Sequence, residues 1–210
     1  MPEKKYHHGD LKNALIEAGV EILSKEGVSG LSLRKVARRA GVSHAAPYAH
    51  FTDKRALIAA ISTEGYSRLY EKLTAVVQKY QDDSLRQFVE VAWAFVEFAR
   101  NDPDHFKVTF SSVAEKEKDF PAFMEMSRKN FQLLVGIVEA CQTAGVLKPG
   151  PADEMAVSIW SLVHGFASLL IEGLISHALL DRLTVRQLLI FALNQVTLVE
   201  LTPEAFPISD

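Results

Sequence analysis

Between residues 31 and 54, in the stretch LSLRKVARRAGVSHAAPYAHFTDK, the chain carries helix starts and stops closer together than almost any fold needs. Leu33, Val36 and Ala37 lie three and four apart, one face of a short helix, with Ser32 as N-cap and Gly41 as the left-handed residue that ends it. Ser43 caps a second helix running to about His50, and Asp53 caps a third that starts at Lys54. Two short helices around a tight glycine turn form a helix-turn-helix, whose second helix enters a DNA major groove. Ala37, four residues before Gly41, is small enough for the two helices to cross closely.

Charge is distributed as such a reading requires. Residues 1–60 hold ten basic and six acidic side chains, net +4, while the remainder holds 13 basic and 20 acidic, net −7, which together make the overall −3. A positive first quarter on an acidic body suits a protein that presents one end to phosphates, although two solvated faces that differ by chance have the same composition. Lys4, Lys5, His7 and His8 form a polar arm suited to the DNA backbone; no Cys or carboxylate stands near the histidines at a ligand spacing, so no metal is expected. The amino end has no apolar run of signal-peptide length, and the single Cys141 excludes an internal disulfide, so a cytoplasmic protein with a buried core cysteine is expected.

Every later segment reads as helix. Asp10 caps the first helix, Leu11, Leu15, Ala18 and Ile22 line its inner face, and Gly27 ends it. The helix from Asp53 keeps an apolar face through Leu57, Ile61, Leu69, Leu73 and Val76 to about Tyr80, and Gln81-Asp82-Asp83 mark its end. Ser84 with Gln87 has capping-box spacing ahead of a helix that is apolar nearly all round. Asn101-Asp102-Pro103 is a stop and restart before a short helix with Phe106, Val108 and Phe110. A charged loop, Glu115 to Asp119, precedes a helix opened by Pro121 and closed by Gly145. No alternating strand pattern appears, so the chain is all-α.

The last helices, about 152–180 and 184–201, bear on partners. Residues 156–171 carry no charge, but this stretch is too short and too polar to span a bilayer and predicts a buried helix without a membrane. Ser158, Ser161, Gly165 and Ser168 form a stripe of small residues flanked by Ile159, Leu162, Phe166 and Leu169. Thr184 and Gln187 form a capping box ahead of Leu188 and Phe191. Such a helix pair, repeated in a second copy, makes a four-helix dimer bundle through Ser158, Ser161, Gly165, Ser168, Leu169, Leu188 and Phe191; an intramolecular core helix fits the same pattern. Trp93, Phe106, Phe110, Phe131 and Trp160, with Met124 and His164, suit an apolar effector pocket and equally a plain core. No Gly-rich phosphate loop or nucleophile motif is present, so neither catalysis nor a cofactor is expected.

Residues 6–27 and 42–57, with Tyr48, the His50-Phe51 pair and Lys54 in order, resemble the TetR/AcrR family of bacterial transcription regulators, and Trp160, His164 and Gly165 resemble the Trp-His-Gly signature of one of its C-terminal domain classes. The chain departs from the pattern at Pro47, where many members carry a larger apolar residue; proline four places into a helix removes its first intrahelical hydrogen bond and predicts a distorted turn. The resemblance implies phosphate contacts by Tyr48, His50 and Lys54 and base-edge contacts by Ser43, His44 and Ala45; Arg34 and Lys35 suit backbone contacts and, nearly as well, a solvated surface.

The expected organisation is an N-terminal helix-turn-helix DNA-binding domain at 1–55, joined through a long helix to a helical effector-binding and dimerisation domain at 56–210. The expected function is a homodimeric regulator on a double-stranded, inverted-repeat operator, acting as a repressor released by a small apolar molecule. The sign of regulation depends on where the operator sits. The rival is a helical small-molecule-binding or assembly protein with little DNA activity.

Overall fold

The computed structural model describes residues 8–110 and 120–206, so the arm with Lys4, Lys5 and His7 and the loop from Glu115 to Asp119 lie outside the described residues. Nine α-helices and two 3₁₀ turns are described, and no strand is present among these residues. The helices are α1 His8–Gly30, α2 Leu33–Arg39, α3 Lys54–Lys79, α4 Ser84–Asn101, α5 Pro103–Thr109, α6 Pro121–Thr143, α7 Ala152–Ile171, α8 His177–Leu180 and α9 Val185–Leu193. The 3₁₀ turns are Ala46–Ala49 and Pro203–Ala205. Packing gathers the chain into two compact units: Met1–Ser67 with Asp104–Ser127, and Arg68–Pro103 with Arg128–Asp210.

In the first unit Leu15, Ile16, Ala18, Val20, Ile22 and Leu23 of α1 meet Leu33 and Val36 of α2, Leu57, Ile58 and Ile61 of α3, and Val108 of α5. Each buried Leu, Ile or Val contributes about 1.5–3 kcal/mol, enough to order helices too short to stand alone. Asp10 lies inside the first turn of α1 and not at its cap, because the helix begins at His8. Gly27 breaks α1 as its position predicts, with φ +66° and ψ −172°.

Two features of this unit are absent from the sequence pattern. A Cβ on Gly65 of α3 would stand 1.9 Å from the Thr109 hydroxyl oxygen, so α5 lies against α3 at a distance that excludes any side chain there. His105, 1% exposed, brings its Nε2 to 3.3 Å from Glu17 on α1. Helix α5 follows α4 in the chain yet is built into the unit that holds the helix-turn-helix.

In the second unit α7 packs along α4, and α9 packs against both. Asp83, and not Ser84, caps α4: its carboxylate accepts the Arg86 N–H at 2.9 Å, while Gln87 donates to the Val77 carbonyl at 3.0 Å. Two adjacent acceptors compete for the cap, and Asp83 holds it. Thr184 and Gln187 do form the reciprocal capping box of α9. Arg186 is 4% exposed, ion-paired to Glu90 at 2.5 Å, donating to the Phe206 carbonyl at 2.8 Å and lying 5.1 Å over the Trp93 ring.

The helix expected over 152–180 stops at Ile171. Gly173, at φ +67°, donates to the Leu170 carbonyl and Leu174 to that of Leu169, a paired closure that needs a left-handed residue. Helix α9 ends at Leu193 and not near 201, because the Asn194 side chain bonds the Leu201 backbone twice, at 2.7 and 2.8 Å, and folds the tail back. Cys141 is fully buried; its thiol donates to the Ser84 carbonyl at 3.3 Å, and burial pushes its pKa up to about 12.

Candidate nucleic-acid interface

Helix α2 is held at both ends as the sequence predicts. Ser32 Oγ accepts the Lys35 N–H at 3.2 Å, and beyond Arg39 the Gly41 N–H bonds the Arg38 carbonyl while Val42 bonds that of Ala37. Gly41 takes φ +70°, which an L side chain rarely adopts. Val42 tucks against the core and fixes the direction in which the next segment leaves.

That next segment is not a regular helix. Residues 46–49 form a 3₁₀ turn whose N-cap residue is Ala45, with no side-chain cap, so Ser43 does not act as the predicted cap. Pro47 is the reason: lacking an N–H, it makes no bond to the Ser43 carbonyl, which instead accepts from Ala46 at 3.0 Å. The proline ring is buried, and the turn packs on α2. Ser43, His44, Ala45 and Tyr48 are exposed, with Tyr48 at 56%, whereas His50 is half-buried with its Nε2 enclosed and unpaired. Ser43, His44 and Ala45, expected at base edges, therefore stand exposed together immediately before this turn.

Asp53 caps α3, accepting the Ala56 N–H at 2.9 Å. The next residue, Lys54, donates from Nζ to the Val28 carbonyl at 3.0 Å, so a cation read as a phosphate contact also ties the start of α3 to the turn after α1. Lys35 is ion-paired with Glu26, and Arg39 with Glu21, its Nε at 2.7 Å from that carboxylate. These acids belong to α1, and no spacing within 31–54 foretells the pairing. Arg34 remains exposed.

The seven aromatic-set residues fall into both units. In the first, Phe106 is core, its ring tilted 50° against Phe110 with centroids 4.9 Å apart, and Phe110 meets Tyr66 edge-on at 5.3 Å, while Met124 is exposed. In the second, Trp93 is buried beneath Arg186 and Arg100, and Phe131 is half-buried. His164 lies between Trp160 and Phe95, with ring centroids at 6.3 and 6.2 Å.

Burial holds the His164 pKa below its ordinary 6.5. The unfolded chain then binds a proton at a pH where the folded chain does not, so stability falls as pH drops below about 6.5. Thermal unfolding of His164→Phe is expected to lose less between pH 7 and 5 than that of the wild type; equal losses would remove His164 as a source of acid sensitivity.

Helix α7 was expected to be buried, but in a single chain it is covered on one side only, by Ala156, Ile159, Val163 and Ala167. Among the described residues it is the one helix long and apolar enough to cross a membrane. Its open side carries Val157, Ser158, Ser161 and Leu169, flanked by Trp160 at 38% exposure, with Gly165 and Ser168 half-covered. The Ser158 and Ser161 hydroxyls donate back to the Glu154 and Val157 carbonyls at 3.1 and 2.8 Å, which leaves an apolar stripe. Open space surrounds a Cβ built on Gly165. On α9, Phe191 is 67% exposed, but Leu188, expected on the same face, is 9% exposed and belongs to the core of its own chain.

Residues 15–61 match the family described as bacterial regulatory proteins, tetR family, and residues 88–192 match the tetracyclin repressor-like C-terminal domain. The chain is 23% identical over 162 residues to the uncharacterized HTH-type transcriptional regulator YobS of Bacillus subtilis, spanning 77% of this chain and 80% of that one. Its fold is similar to the solved structure of a Rhodococcus sp. RHA1 protein of unknown function, at 32% identity and TM-score 0.73, covering 92% of this chain and 96% of that one. It is also similar to FadR of Bacillus subtilis, solved in complex with stearoyl-CoA, at 16% identity and TM-score 0.69, covering 87% and 95%. With both of its parts matched in order around an exposed reading turn, the chain belongs to the TetR family of DNA-binding transcriptional regulators.

Proposed function

We propose that the protein is a cytoplasmic repressor that binds an inverted-repeat operator as a homodimer and is released by a small apolar molecule. In this reading residues 1–55 recognise DNA and 56–210 bind the effector and the second copy. The observation that carries it is the anchored turn with Ser43, His44, Ala45 and Tyr48 facing outward together. Ser43, His44 and Ala45 meet base edges; Tyr48, His50, Lys54 and Arg34 meet phosphates. Two such turns on a two-fold axis read half-sites about 34 to 36 Å apart, or a multiple of that spacing.

The apolar stripe of α7 with the exposed Phe191 supports a second copy as partner, since two helices from each chain make a four-helix bundle. Asp153 and Glu154 in the first turn and four α7 residues buried in the chain's own core argue against lipid as the occupant. The stearoyl-CoA bound by the fold-similar FadR supports an apolar effector, as do the aromatics of both units. No catalytic constellation stands among the described residues, and no turnover is part of this reading.

The test is fluorescence anisotropy with a duplex selected from a random pool by the full-length protein. Affinity is expected to fall steeply between about 50 and 200 mM salt. Tyr48→Ala is expected to weaken binding about tenfold per reading head, so about a hundredfold in a dimer, with one lost phosphate hydrogen bond of about 1.4 kcal/mol in each copy. Binding insensitive to both would instead favour a helical small-molecule-binding or assembly protein.

A further inference from the structure

Helix α2 carries four cations in two i, i+4 pairs, and the fold treats the pairs differently. Lys35 and Arg39 lie on the side of α2 that meets α1, where Glu26 and Glu21 neutralise them. Arg34 and Arg38 lie one turn apart on the neighbouring side, both exposed and neither in an ion pair among the described residues. Like charges four apart on a helix repel each other mildly. The favourable field at the C-terminal end of α2 offsets this at Arg38 alone. What relieves both is an anion lying along the helix.

In a helix-turn-helix the first helix crosses the DNA backbone while the second enters the groove. Helix α2 packs against the turn beside which Ser43, His44, Ala45 and Tyr48 are exposed. Residues four apart on a helix lie about 6 Å apart along its axis, so the two guanidinium groups form a short track. On the DNA-reading role proposed above, we infer that Arg38 is a backbone-phosphate contact, paired with Arg34 as a two-point clamp, and that Lys35 is not. Lys35 and Arg39 are instead ties that hold α2 on α1, their charge already spent on Glu26 and Glu21.

A phosphate contact has a signature that a structural arginine lacks. Neutralising one phosphate adds about 0.9 to the slope of log affinity against log salt. Arg38→Gln is expected to flatten that slope by about 0.9 per reading head, so about 1.8 in a dimer, by the same amount on the selected duplex and on a scrambled one. Arg38→Lys restores most of it. The charge-balanced double variant Lys35→Gln with Glu26→Gln removes a pair without changing net charge, and its slope is expected to stay that of the wild type.

The inference is overturned if Arg38→Gln lowers only the melting temperature and leaves the salt slope intact. It is equally overturned if the double variant flattens the slope as much as Arg38→Gln does. Wild-type protein that binds no duplex in a salt-dependent way would sink the DNA-reading role itself. That result is distinct from a wild-type slope which Arg38→Gln leaves unmoved.

Discussion

Ser161→Arg is expected to convert the protein to a monomer and weaken operator binding by about 10²- to 10⁴-fold, the avidity lost when two linked reading heads become independent. Ser161 sits in the middle of the open stripe of α7, its hydroxyl already bonded to its own helix and Gly165 one turn away with space beside it. A guanidinium placed there would be buried against its symmetry mate without a counter-charge. In the single chain the site is exposed, so the fold should survive. Light scattering separates the outcomes: wild type at twice the 23.3 kDa chain mass, the variant at once. A variant that remains a dimer with unchanged affinity would place the interface elsewhere.

Glu90→Ala should strongly destabilise the second unit. The Glu90 and Arg186 side chains are 11% and 5% exposed, and removing the carboxylate leaves a guanidinium buried with, among the described residues, only the Phe206 carbonyl and the Trp93 face to meet it. Breaking a buried pair from one side costs about 3–5 kcal/mol. In a chain of this length that corresponds to a fall of about 10 °C in melting temperature. Glu90→Leu with Arg186→Met removes both charges and is expected to recover most of the loss, because the expense lies in the orphaned charge more than in the absent attraction. Circular dichroism melts of the three proteins decide it; a loss below about 1 kcal/mol for Glu90→Ala would mean that water reaches Arg186.

What could be read in the chain was local, and what escaped was tertiary. The caps at Ser32, Asp53 and Thr184 are legible because a cap bonds an N–H two or three residues away, within a single glance at the sequence. Pro47 is legible for the same reason: a missing donor has its effect four residues upstream. Asp83 displaced Ser84 because propensity cannot rank two neighbouring acceptors. The stop at Gly173 was lost in a run of apolar residues whose period continues past it.

The pairing of Lys35 and Arg39 with α1 acids requires knowing how α1 and α2 lie, and the sequence shows only that both charges exist. The same holds for His105 with Glu17 and for Thr109 against Gly65. An abundance of aromatics said nothing about which unit each would join, and Phe106 and Trp93 went to different ones. Helix α7 looked buried because its composition is that of a buried helix; composition cannot say whether the covering surface comes from the same chain or from another.

Cys141 opens an experimental route. The chain's lone sulfhydryl is shut away, and burial pushes its pKa up to about 12, so maleimide and nitroxide reagents will pass it by without its removal. A cysteine introduced at the exposed Ala49 becomes the single reactive handle in each subunit. On the proposed dimer, spin labels attached there would turn the spacing of the two turns into a measurable distance distribution, against which candidate effectors can be screened one at a time.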